Sequence, residues 1–442
     1  MGNDAETEEQ AGKGRGRAGG GRPEPGVLLI YSAGAARLEA IPLEDGAIEL
    51  GRGPLGASGA VTLGDSVVSR KHARLSHAAA RWTVRDLGSR NGTAVDGVTL
   101  AGEYVGGAPR VVRVGDSLFL PVDDIRRFRG AAVEVNERMV MGPTLGEAWQ
   151  ALARAAASGE TVHLSGESGT GKELAAEAFH RLGPCANGPL VAVNCATIPE
   201  GVAERLLFGA RKGAYSGAVA DSDGHLQAAH GGTLFLDEVA ELSLSVQAKL
   251  LRVLETHEVM ALGASHARTV DIRVCTATHT NLRAEVARGT FREDLYFRIG
   301  KPEVALPPLR ERRCEVPWLI ERALAAFTPA LSAHVSLIEE CLVRPWPGNL
   351  RELNAELRAA AQRAQSLKSP TVEAVHLSPT AGARFDAAAT QPARPTAAAR
   401  VPEKSDIESA LHQANGNVSA AARALGLHRN QLRRWMHKHG LD

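Results

Sequence analysis

The sequence predicts a multidomain chain, with a β-sandwich near the N-terminus, a parallel α/β domain in the middle and a small all-α unit at the C-terminus. With 442 residues, the chain is too long for one hydrophobic core, so two to four domains are expected. Short β-like runs separated by glycine-containing turns fill the N-terminal part, as in small sandwiches. Strand-like and helix-like runs then alternate, which is typical of a parallel α/β domain.

Composition sets the predicted boundaries of these segments. Residues 1–26 are rich in Gly, Arg and Glu and lack apolar periodicity, which predicts a disordered tail, although its basic part could instead contact nucleic acid. The sandwich is expected over 27–135 and the α/β domain with its following helices over 136–375. The Ala-, Pro- and Thr-rich residues 376–402 indicate a linker. The helical unit is expected over 403–442.

Charge and cysteine content narrow the possible classes of protein. Lys and Arg total 51 against 50 for Asp and Glu, so any surface that binds nucleic acid must be local. Five cysteines without a CxxC pair argue against a disulfide framework or a zinc site and fit a reducing cytosol. No apolar run approaches the ~18 residues of a membrane span, and the N-terminus lacks a signal-peptide pattern. These features predict a soluble, cytoplasmic protein without a membrane partner.

The stretch GESGTGKE lies between the apolar run TVHLS and the helix-like ELAAEAFHRL, which is the strand–loop–helix context of a P-loop. Its glycines let backbone N–H groups surround phosphates, and the following helix N-terminus favours their charge. Lys172 is expected to reach the β and γ phosphates. The last residue of the stretch departs from the Ser or Thr that usually binds Mg²⁺. The predicted nucleotide-binding residues are Gly166, Glu167, Ser168, Gly169, Thr170, Gly171, Lys172 and Glu173.

The apolar strand TLFLDE ends in two acidic residues, Asp237 and Glu238. Asp237 is expected to hold Mg²⁺, directly or through water, and Glu238 to polarise the attacking water. Acidic residues also favour a helix N-terminus, so a merely structural role is the alternative. Together with the P-loop upstream, the pair favours an ATP hydrolase that uses ATP and Mg²⁺.

Six motifs occur in the same order as in the AAA+ domain of bacterial sigma-54-dependent transcription activators, which the chain resembles over residues 136–375. The resemblance implies an α/β subdomain over 136–310, a helical lid over 311–375 and a ring of six subunits with ATP bound between them. It also accounts for Glu173, which is a trait of this family. The motifs are GESGTGKE, FGARKGAYSGA, GGTLFLDEV, QAKLLRVLE, FREDLYFRI and WPGNLREL.

The resemblance assigns roles to three arginines outside the P-loop. Arg292 and Arg298 correspond to arginine fingers, supplied in trans to neutralise charge on the transferring phosphoryl group. The alternative for each is a surface salt bridge. Arg351 in GNLREL corresponds to the sensor arginine of the lid.

Two further positions are assigned near the strand ends. Asn194 corresponds to the residue that holds the catalytic Glu238 until nucleotide signals. Thr278 and His279 fall at the first sensor. Since Asn is frequent at the second of these positions, a merely packed His279 is the alternative.

The hexapeptide GAYSGA resembles the GAFTGA loop with which this family grips sigma-54. Small residues let the loop rise and fall, and the aromatic ring supplies contact area. A flexible surface loop is the alternative, and the departures at Leu206, Ala210 and Arg211 leave the strength of coupling open. The predicted contact residues are Gly213, Ala214, Tyr215, Ser216, Gly217 and Ala218.

The N-terminal domain contains GR, SRKH and NGT in the order found in forkhead-associated (FHA) domains, which bind phosphothreonine peptides. A guanidinium at position 52 suits phosphate, and the hydroxyl and amide groups suit phosphate and peptide backbone. His72 is expected to brace the loops rather than touch ligand. A degenerate domain used only for packing is the alternative. The predicted peptide-binding residues are Arg52, Ser69, Arg70 and Asn91.

The C-terminal residues resemble the Fis-type DNA-binding domain of the same activators, notably in GNVSAAARALGL. Leu432 and Met436, at i and i+4, are expected to face the core of a helix-turn-helix. A helical hairpin with a solvated basic face is the alternative. The residues expected to contact DNA are Arg429, Asn430, Arg433 and Arg434.

The sequence is therefore interpreted as a transcription activator that hydrolyses ATP as a homo-hexamer. It would remodel the sigma-54 RNA polymerase holoenzyme from enhancer DNA, under control of a phosphothreonine-containing protein or segment. Two alternatives are an AAA+ machine with another client and a phosphopeptide-regulated DNA-binding protein whose ATPase is uncoupled.

Overall fold

The computed structural model describes residues 23–53, 60–159, 161–384 and 404–413, together with Val418, Ala421, Ala422, Leu432 and Met436. Most of the predicted tail and most of the predicted linker lie outside these residues. Within the described part of the chain, no helix is long and apolar enough to cross a membrane.

The N-terminal part is a two-sheet β-sandwich, as the alternation of β-like runs and turns predicts. Its strands are β1 (Gly26–Ser32), β2 (Ala35–Pro42), β3 (Ala47–Gly51), β4 (Ala60–Thr62), β5 (Ala73–Ala78), β6 (Arg81–Asp86), β7 (Thr93–Val95), β8 (Val98–Thr99), β9 (Glu103–Gly106), β10 (Val112–Val114) and β11 (Ser117–Val122). One sheet has the order β2-β1-β11-β10-β7-β8 and the other β4-β3-β5-β6-β9. Leu50, Leu75, Trp82 and Phe119 are fully buried between the sheets.

Strand β1 is buried along its whole length, on both faces of its sheet. Val27 and Leu29 belong to the sandwich core, whereas Leu28 and Ile30 belong to a second apolar cluster. An antiparallel sandwich strand normally alternates between core and solvent. The continuous apolar run VLLIY therefore reflects a second partner for this sheet.

The central part is an α/β unit with helices on both faces of a parallel sheet. Its elements are β12 (Glu134–Val135), β13 (Val140–Met141), α1 (Pro143–Ser158), β14 (Val162–Ser165), α2 (Lys172–Leu182), β15 (Leu190–Asn194), α3 (Glu200–Phe208), α4 (His225–Ala228), β16 (Gly232–Asp237), α5 (Leu244–Thr256), β17 (Glu258–Val259), β18 (Arg268–Thr269), β19 (Ile272–Thr278), α6 (Leu282–Arg288), α7 (Glu293–Ile299) and β20 (Glu303–Ala305). Strand β16 alternates its buried side chains between the two cores: Leu234 and Leu236 join one, and Phe235 the other.

The parallel sheet has the order β15-β16-β19-β14-β20. Because all five strands run the same way, their carboxyl ends meet at one edge, where ligands bind in open α/β sheets. The P-loop follows β14, Asp237 ends β16 and Thr278 ends β19. The topology therefore collects three separate sequence motifs at one place.

A small helical lid follows the sheet. It consists of α8 (Val316–Ala325), β21 (Ser332–Ala333), α9 (Val335–Val343), α10 (Asn349–Ser366) and β22 (Thr371–Val372). Ile320, Leu337, Ile338, Leu353 and Leu357 form its buried core.

The C-terminal unit is described in part, with α11 (Lys404–Gln413) as its first helix. Ile407 and Ala410 of α11 are buried with Ala421 and Leu432, and Met436 packs against this cluster. Leu432 and Met436 thus lie on the core side, as their spacing predicts.

Candidate functional site

A cavity of about 450 Å³ lies between the α/β unit and the lid. The P-loop and the acidic pair line one side, and lid side chains line the other. It is the natural place for a nucleotide, because phosphate-binding backbone and acidic side chains face it together. The lining includes Met139, Trp149, Ser168, Lys172, Asn194, Asp237, Glu238, Arg312, Leu319, Arg322, Leu350 and Arg351.

The P-loop has the backbone that its glycines require. Gly169 and Gly171 have φ angles of 77° and 105°, a region that disfavours other residues. A Cβ at Gly169 would also lie 2.3 Å from the Gly348 carbonyl oxygen of the lid. Lys172 begins α2 and is 7% exposed. Its Nζ donates to the Gly166 carbonyl at 3.0 Å and lies 3.6 Å from Glu238 Oε1.

Glu167 connects the P-loop to the base of the lid. Its carboxylate pairs with Arg310 at 2.7 Å and accepts a hydrogen bond from Asn349 Nδ2 at 3.1 Å. The Arg310 guanidinium lowers the pKa of Glu167, despite the opposing effect of burial. The contacts of this side chain are therefore with the lid.

The other P-loop side chains divide between the loop and the lid. Arg351 Nη1 donates to Ser168 Oγ at 3.0 Å, so the sensor-position arginine reaches the P-loop from α10. The Thr170 hydroxyl turns back to the Glu167 carbonyl at 2.9 Å, and the Glu173 side chain is exposed. In these contacts, neither the Thr170 hydroxyl nor the Glu173 carboxylate pairs with a charged group.

Asp237 and Glu238 lie at the end of β16 and repel each other. Burial raises the pKa of Asp237, and the adjacent Glu238 carboxylate raises it further. Glu238 has a left-handed backbone with φ 52°. Burial alone would raise its pKa, but the hydrogen bond from His279 and the charge of Lys172 hold it below its usual value. Glu238 is therefore ionised at neutral pH.

Glu238 Oε2 is held from the end of β19. It accepts hydrogen bonds from the Thr278 hydroxyl at 3.2 Å, from the His279 backbone N–H at 3.2 Å and from His279 Nδ1 at 2.7 Å. The imidazole is about half exposed. His279 therefore contacts the acidic pair directly and is not merely packed.

The predicted bond from Asn194 to Glu238 is replaced by a different contact. Asn194 Nδ2 lies 3.5 Å from Asp237 Oδ2, and its Oδ1 accepts from the Ala196 N–H. The Glu238 carboxylate contacts His279 instead. In this structure the residue that holds Glu238 is His279.

The two finger candidates lie on α7 or at its start, and neither lines the nucleotide cavity of its own chain. Arg292 pairs with Asp294 at 2.6 Å, which is the surface ion pair considered as the alternative. Arg298 Nη2 donates to the Leu254 carbonyl at 2.8 Å. Both residues are exposed.

The GAYSGA residues form two consecutive tight turns on the surface of the α/β unit. Ala214 N–H bonds to the Arg211 carbonyl, Ala218 N–H bonds to the Tyr215 carbonyl, and Gly213 N–H bonds to the Ala218 carbonyl. Gly213 and Gly217 have φ angles of 82° and 101°, which explains both glycines. Ser216 is exposed at the tip.

The Tyr215 ring lies against α3 and is 40% exposed. Arg205 Nη1 donates to the Tyr215 hydroxyl at 3.1 Å, and its guanidinium carbon lies 5.4 Å from the ring centroid. Phe, the usual family residue, could not accept this hydrogen bond. The hydroxyl therefore adds a contact between the loop and α3.

The three departures from the family pattern lie at the base of the loop. Ala210 is buried and exchanges backbone hydrogen bonds with Ser222. Arg211 forms an exposed ion pair with Asp221 at 2.6 Å, and Leu206 on α3 is 38% exposed. The loop base is thus closed by a backbone bridge and one ion pair.

At one end of the sandwich, the structure brings the four predicted peptide-binding residues onto neighbouring loops. The Arg52 N–H bonds to the Ser69 carbonyl, Ser69 Oγ accepts from the Arg90 N–H at 3.0 Å, and Asn91 Nδ2 donates to the Val67 carbonyl at 2.6 Å. The Arg52 and Arg70 side chains are exposed. Two guanidinium groups and a hydroxyl therefore share one face.

His72 is fully buried beneath these loops and braces them, as predicted. Its Nδ1 accepts the Ser69 N–H at 3.0 Å, so Nε2 carries the proton and donates to the Gly92 carbonyl at 3.1 Å. Burial lowers the pKa of His72 and keeps it neutral. Asp86, which sequence reasoning missed, orders the same loops by accepting from Ser89 and Thr93.

Sequence reasoning also missed two arginines of the cavity wall. Arg312 is 1% exposed and lies 3.4 Å from Glu315, which is fully buried. Among the described residues, Arg312 Nε and Nη2 have no hydrogen-bond partner, and neither has Arg322 Nη1. In the sequence, only the three arginines of LRERR, just before α8, point to a basic site that includes Arg312.

The four residues expected to contact DNA, Arg429, Asn430, Arg433 and Arg434, lie outside the described residues.

The parallel sheet has a P-loop after β14 and an acidic pair at the end of β16, with β19 between these two strands. Together with the helical lid, this arrangement defines a nucleotide-binding domain of the AAA+ class. Family models match in the same order as the sequence motifs. The FHA domain model matches residues 48–118, the sigma-54 interaction domain model residues 139–305, and the model described as bacterial regulatory protein, Fis family, residues 400–439.

Two relatives and one solved structure give the extent of the similarity. The DNA-binding transcriptional regulator NtrC of Azospirillum brasilense is 36% identical over 336 residues, 69% of this chain and 70% of NtrC. The Nif-specific regulatory protein of Herbaspirillum seropedicae is 42% identical over 51% of this chain and 42% of that protein. The crystal structure of NtrX from Brucella abortus in complex with ATP aligns with a TM-score of 0.51 and 32% identity, over 69% of each chain.

The chain belongs to the family of sigma-54-dependent transcription activators, with an N-terminal FHA domain, a central AAA+ domain and a C-terminal Fis-type helix-turn-helix. It spans about half the length of the Nif-specific regulators that it matches.

Proposed function

We propose that this protein hydrolyses ATP to remodel the sigma-54 RNA polymerase holoenzyme from enhancer DNA, and that its FHA domain regulates this activity by recognising phosphothreonine. One observation carries the proposal: the nucleotide cavity and the GAYSGA turns belong to the same α/β unit, within the match to the sigma-54 interaction domain. ATP chemistry and client contact would thereby be joined in one folded unit.

The proposed chemistry follows from the edge of the parallel sheet. Lys172 would neutralise the β and γ phosphates beside the P-loop N–H groups. The acidic pair suits Mg²⁺, because a divalent cation would compensate both the burial and the Glu238 repulsion that raise the pKa of Asp237. Asp237 would hold the ion, directly or through water, and the ion would neutralise developing phosphate charge. Glu238, kept ionised, would orient the attacking water.

His279 would hold Glu238 before the attacking water is positioned. Its Nδ1 contact at 2.7 Å occupies the carboxylate oxygen that the water would need. Release of this bond would then accompany assembly of the nucleotide site. Asn194 would act on Asp237, the carboxylate that it lies closest to.

Hexamer formation is supported by the exposure of Arg292 and Arg298 away from their own cavity. Each would reach the nucleotide of the next subunit in the ring. We expect Arg298→Ala to lose hydrolysis and to regain part of it when mixed with a Lys172→Ala chain, because one subunit then supplies the finger and its neighbour the P-loop. No regained activity in rings shown to be mixed would contradict action in trans.

The FHA domain would take a phosphothreonine segment at the face formed by Arg52, Ser69, Arg70 and Asn91. The neutral, buried His72 would keep the loops in place without competing for the phosphate. The C-terminal helix-turn-helix would position the ring on DNA through Arg429, Asn430, Arg433 and Arg434.

The test is open-complex formation by purified sigma-54 RNA polymerase holoenzyme with this protein and ATP. The parental chain should open the promoter, Glu238→Gln should not hydrolyse ATP, and Tyr215→Ala should hydrolyse ATP without opening. ATP hydrolysis by the parental chain without promoter opening would overturn the proposal. Retained DNA binding in that case would favour the uncoupled regulator, which the altered loop base at Ala210 and Arg211 makes the second candidate.

A further inference from the structure

We infer that the FHA domain is docked on the AAA+ lid of its own chain through a shared hydrophobic core, and that this contact sets the position of the lid wall of the nucleotide cavity. The docking surface is the outer face of the sheet that contains β1, β2, β10 and β11. Its partner is the face formed by α8 and α9. This contact between the FHA domain and the lid does not depend on what the FHA domain binds.

The apolar part of the contact is continuous. Leu28 and Ile30 of β1, with Leu118 and Leu120 of β11, belong to the same buried cluster as the lid core. Helix α8 packs against β2, and α9 packs against β11. Without the lid, this face would present a row of Leu and Ile side chains to water, which soluble domains avoid.

An ion pair fixes the register of the contact. Arg113 Nε of β10 lies 2.7 Å from Glu339 Oε2 of α9, and the two side chains are 17% and 9% exposed. Burial raises the pKa of Glu339, and Arg113 opposes that effect. Docking buries the Glu339 carboxylate, and Arg113 supplies its charge partner; loss of that partner while the contact stays closed is strongly destabilising.

Polar contacts surround this pair. The Ala36 N–H donates to Glu321 Oε1 of α8 at 2.8 Å, and the Tyr31 hydroxyl donates to the Ala333 carbonyl at 3.3 Å. Arg313 Nη1 donates to the Arg110 carbonyl at 3.0 Å, and Arg110 donates in return to the carbonyl that ends α9. Three lid segments are thus tied to the sandwich.

Helix α8 connects the FHA contact with the nucleotide cavity. Glu321 of α8 faces the FHA domain, whereas Leu319 and Arg322 of the same helix line the cavity. A helix moves as a rigid element, so a shift of the FHA domain moves that wall. Within the FHA domain, strand β10 is paired with β7, and Arg113 lies opposite Ala94. Strand β7 follows the loop that contains Asn91.

The experiment uses the full chain and two variants of the ion pair, Arg113→Ala and Glu339→Gln, with their double variant. Arg74→Ala is the matched control, because Arg74 forms an ion pair with Glu49 at 3.8 Å on the other sheet of the sandwich. Two quantities are measured: the Kd for a fluorescent ADP analogue, and hydrogen exchange of α9 and β11 in the absence of nucleotide.

Each single variant should speed exchange in α9 and β11 and weaken the ADP analogue about threefold or more, whereas the double variant should be no worse than the more affected single variant. Arg74→Ala should match the parental chain. Unchanged exchange in both single variants would show that the domains are not docked. Faster exchange with an unchanged Kd would show a contact that does not reach the cavity, and either result would overturn the inference. The exchange measurement needs neither nucleotide nor sigma-54, so failure of the proposed function would be seen separately.

Discussion

Tyr215→Phe tests whether the tyrosine hydroxyl holds the surface loop down. The change keeps the ring and its contact with the Arg205 guanidinium but removes the hydrogen bond at 3.1 Å. The Arg205 donor is charged, and a hydrogen bond to a charged group contributes about 1.5–3 kcal/mol net when it is buried. Since Tyr215 is 40% exposed, water replaces most of the lost bond, and a loss of about 0.5 kcal/mol is expected. About 0.5 kcal/mol corresponds to roughly a twofold shift toward the raised loop.

The measurement is the affinity of labelled sigma-54 for the protein with ADP and aluminium fluoride. Tyr215→Phe should bind about twofold more tightly and open promoters at least at the parental rate. Arg205→Met removes the same bond from the other side and should give the same gain, with no further gain in the double variant. Tyr215→Ala, which loses the ring, should fail to bind. Weaker binding by Tyr215→Phe would refute the reasoning, because the hydroxyl would then serve the client contact.

Three other predictions concern the remaining sites. Glu238→Gln should still bind ATP but lower turnover by on the order of a hundredfold or more; near-parental phosphate release would remove Glu238 from the mechanism. Arg52→Ala should weaken a phosphothreonine peptide by roughly 1.5–3 kcal/mol in titration calorimetry, and equal affinity of the parental chain for the unphosphorylated peptide would exclude the sensor role. Burial raises the pKa of Glu315 to about 7, so the folded chain holds this proton more tightly than the unfolded one. The free energy of unfolding should therefore fall by up to about 3 kcal/mol as pH rises from about 4.5 to 7, and Glu315→Gln should flatten that dependence; parallel pH profiles would contradict the shift.

The sequence predicted the nucleotide site well because its motifs follow strands. Lys172, Asp237 and Thr278 are far apart in the chain, yet Asp237 and Thr278 are the last residues of parallel strands and Lys172 follows the P-loop that leaves a third. The topology of the sheet brings such ends together whatever the intervening sequence. The residue types and the strand order were together enough to predict which residues meet at this edge of the sheet.

The partner of Glu238 could not be predicted in the same way. Asn194 and His279 both lie at strand ends beside the acidic pair, and the Glu238 carboxylate contacts His279. Which of the two a carboxylate reaches depends on side-chain direction in the folded protein, and no residue pattern indicates that direction.

One feature of the sequence indicates the contact between the FHA domain and the lid. VLLIY is apolar without alternation, which in an antiparallel strand indicates two buried faces. Arg113 and Glu339, by contrast, are ordinary surface residue types, and their pairing over 226 positions of chain depends wholly on the docking. The burial of Arg312 could likewise not be predicted from the sequence, because it depends on tertiary packing.

The shared core of the FHA domain and the lid bears on how such activators arise by domain shuffling. A gene fusion that exchanged the FHA domain alone would bring β1 with Leu28 and Ile30 against a lid shaped for another regulator, and would leave Glu339 buried without Arg113. The two surfaces have to be inherited together. The recombination boundary compatible with this fold therefore lies beyond the lid, whose buried core extends to Ala381, rather than at the junction near residue 136 where the domains meet in sequence.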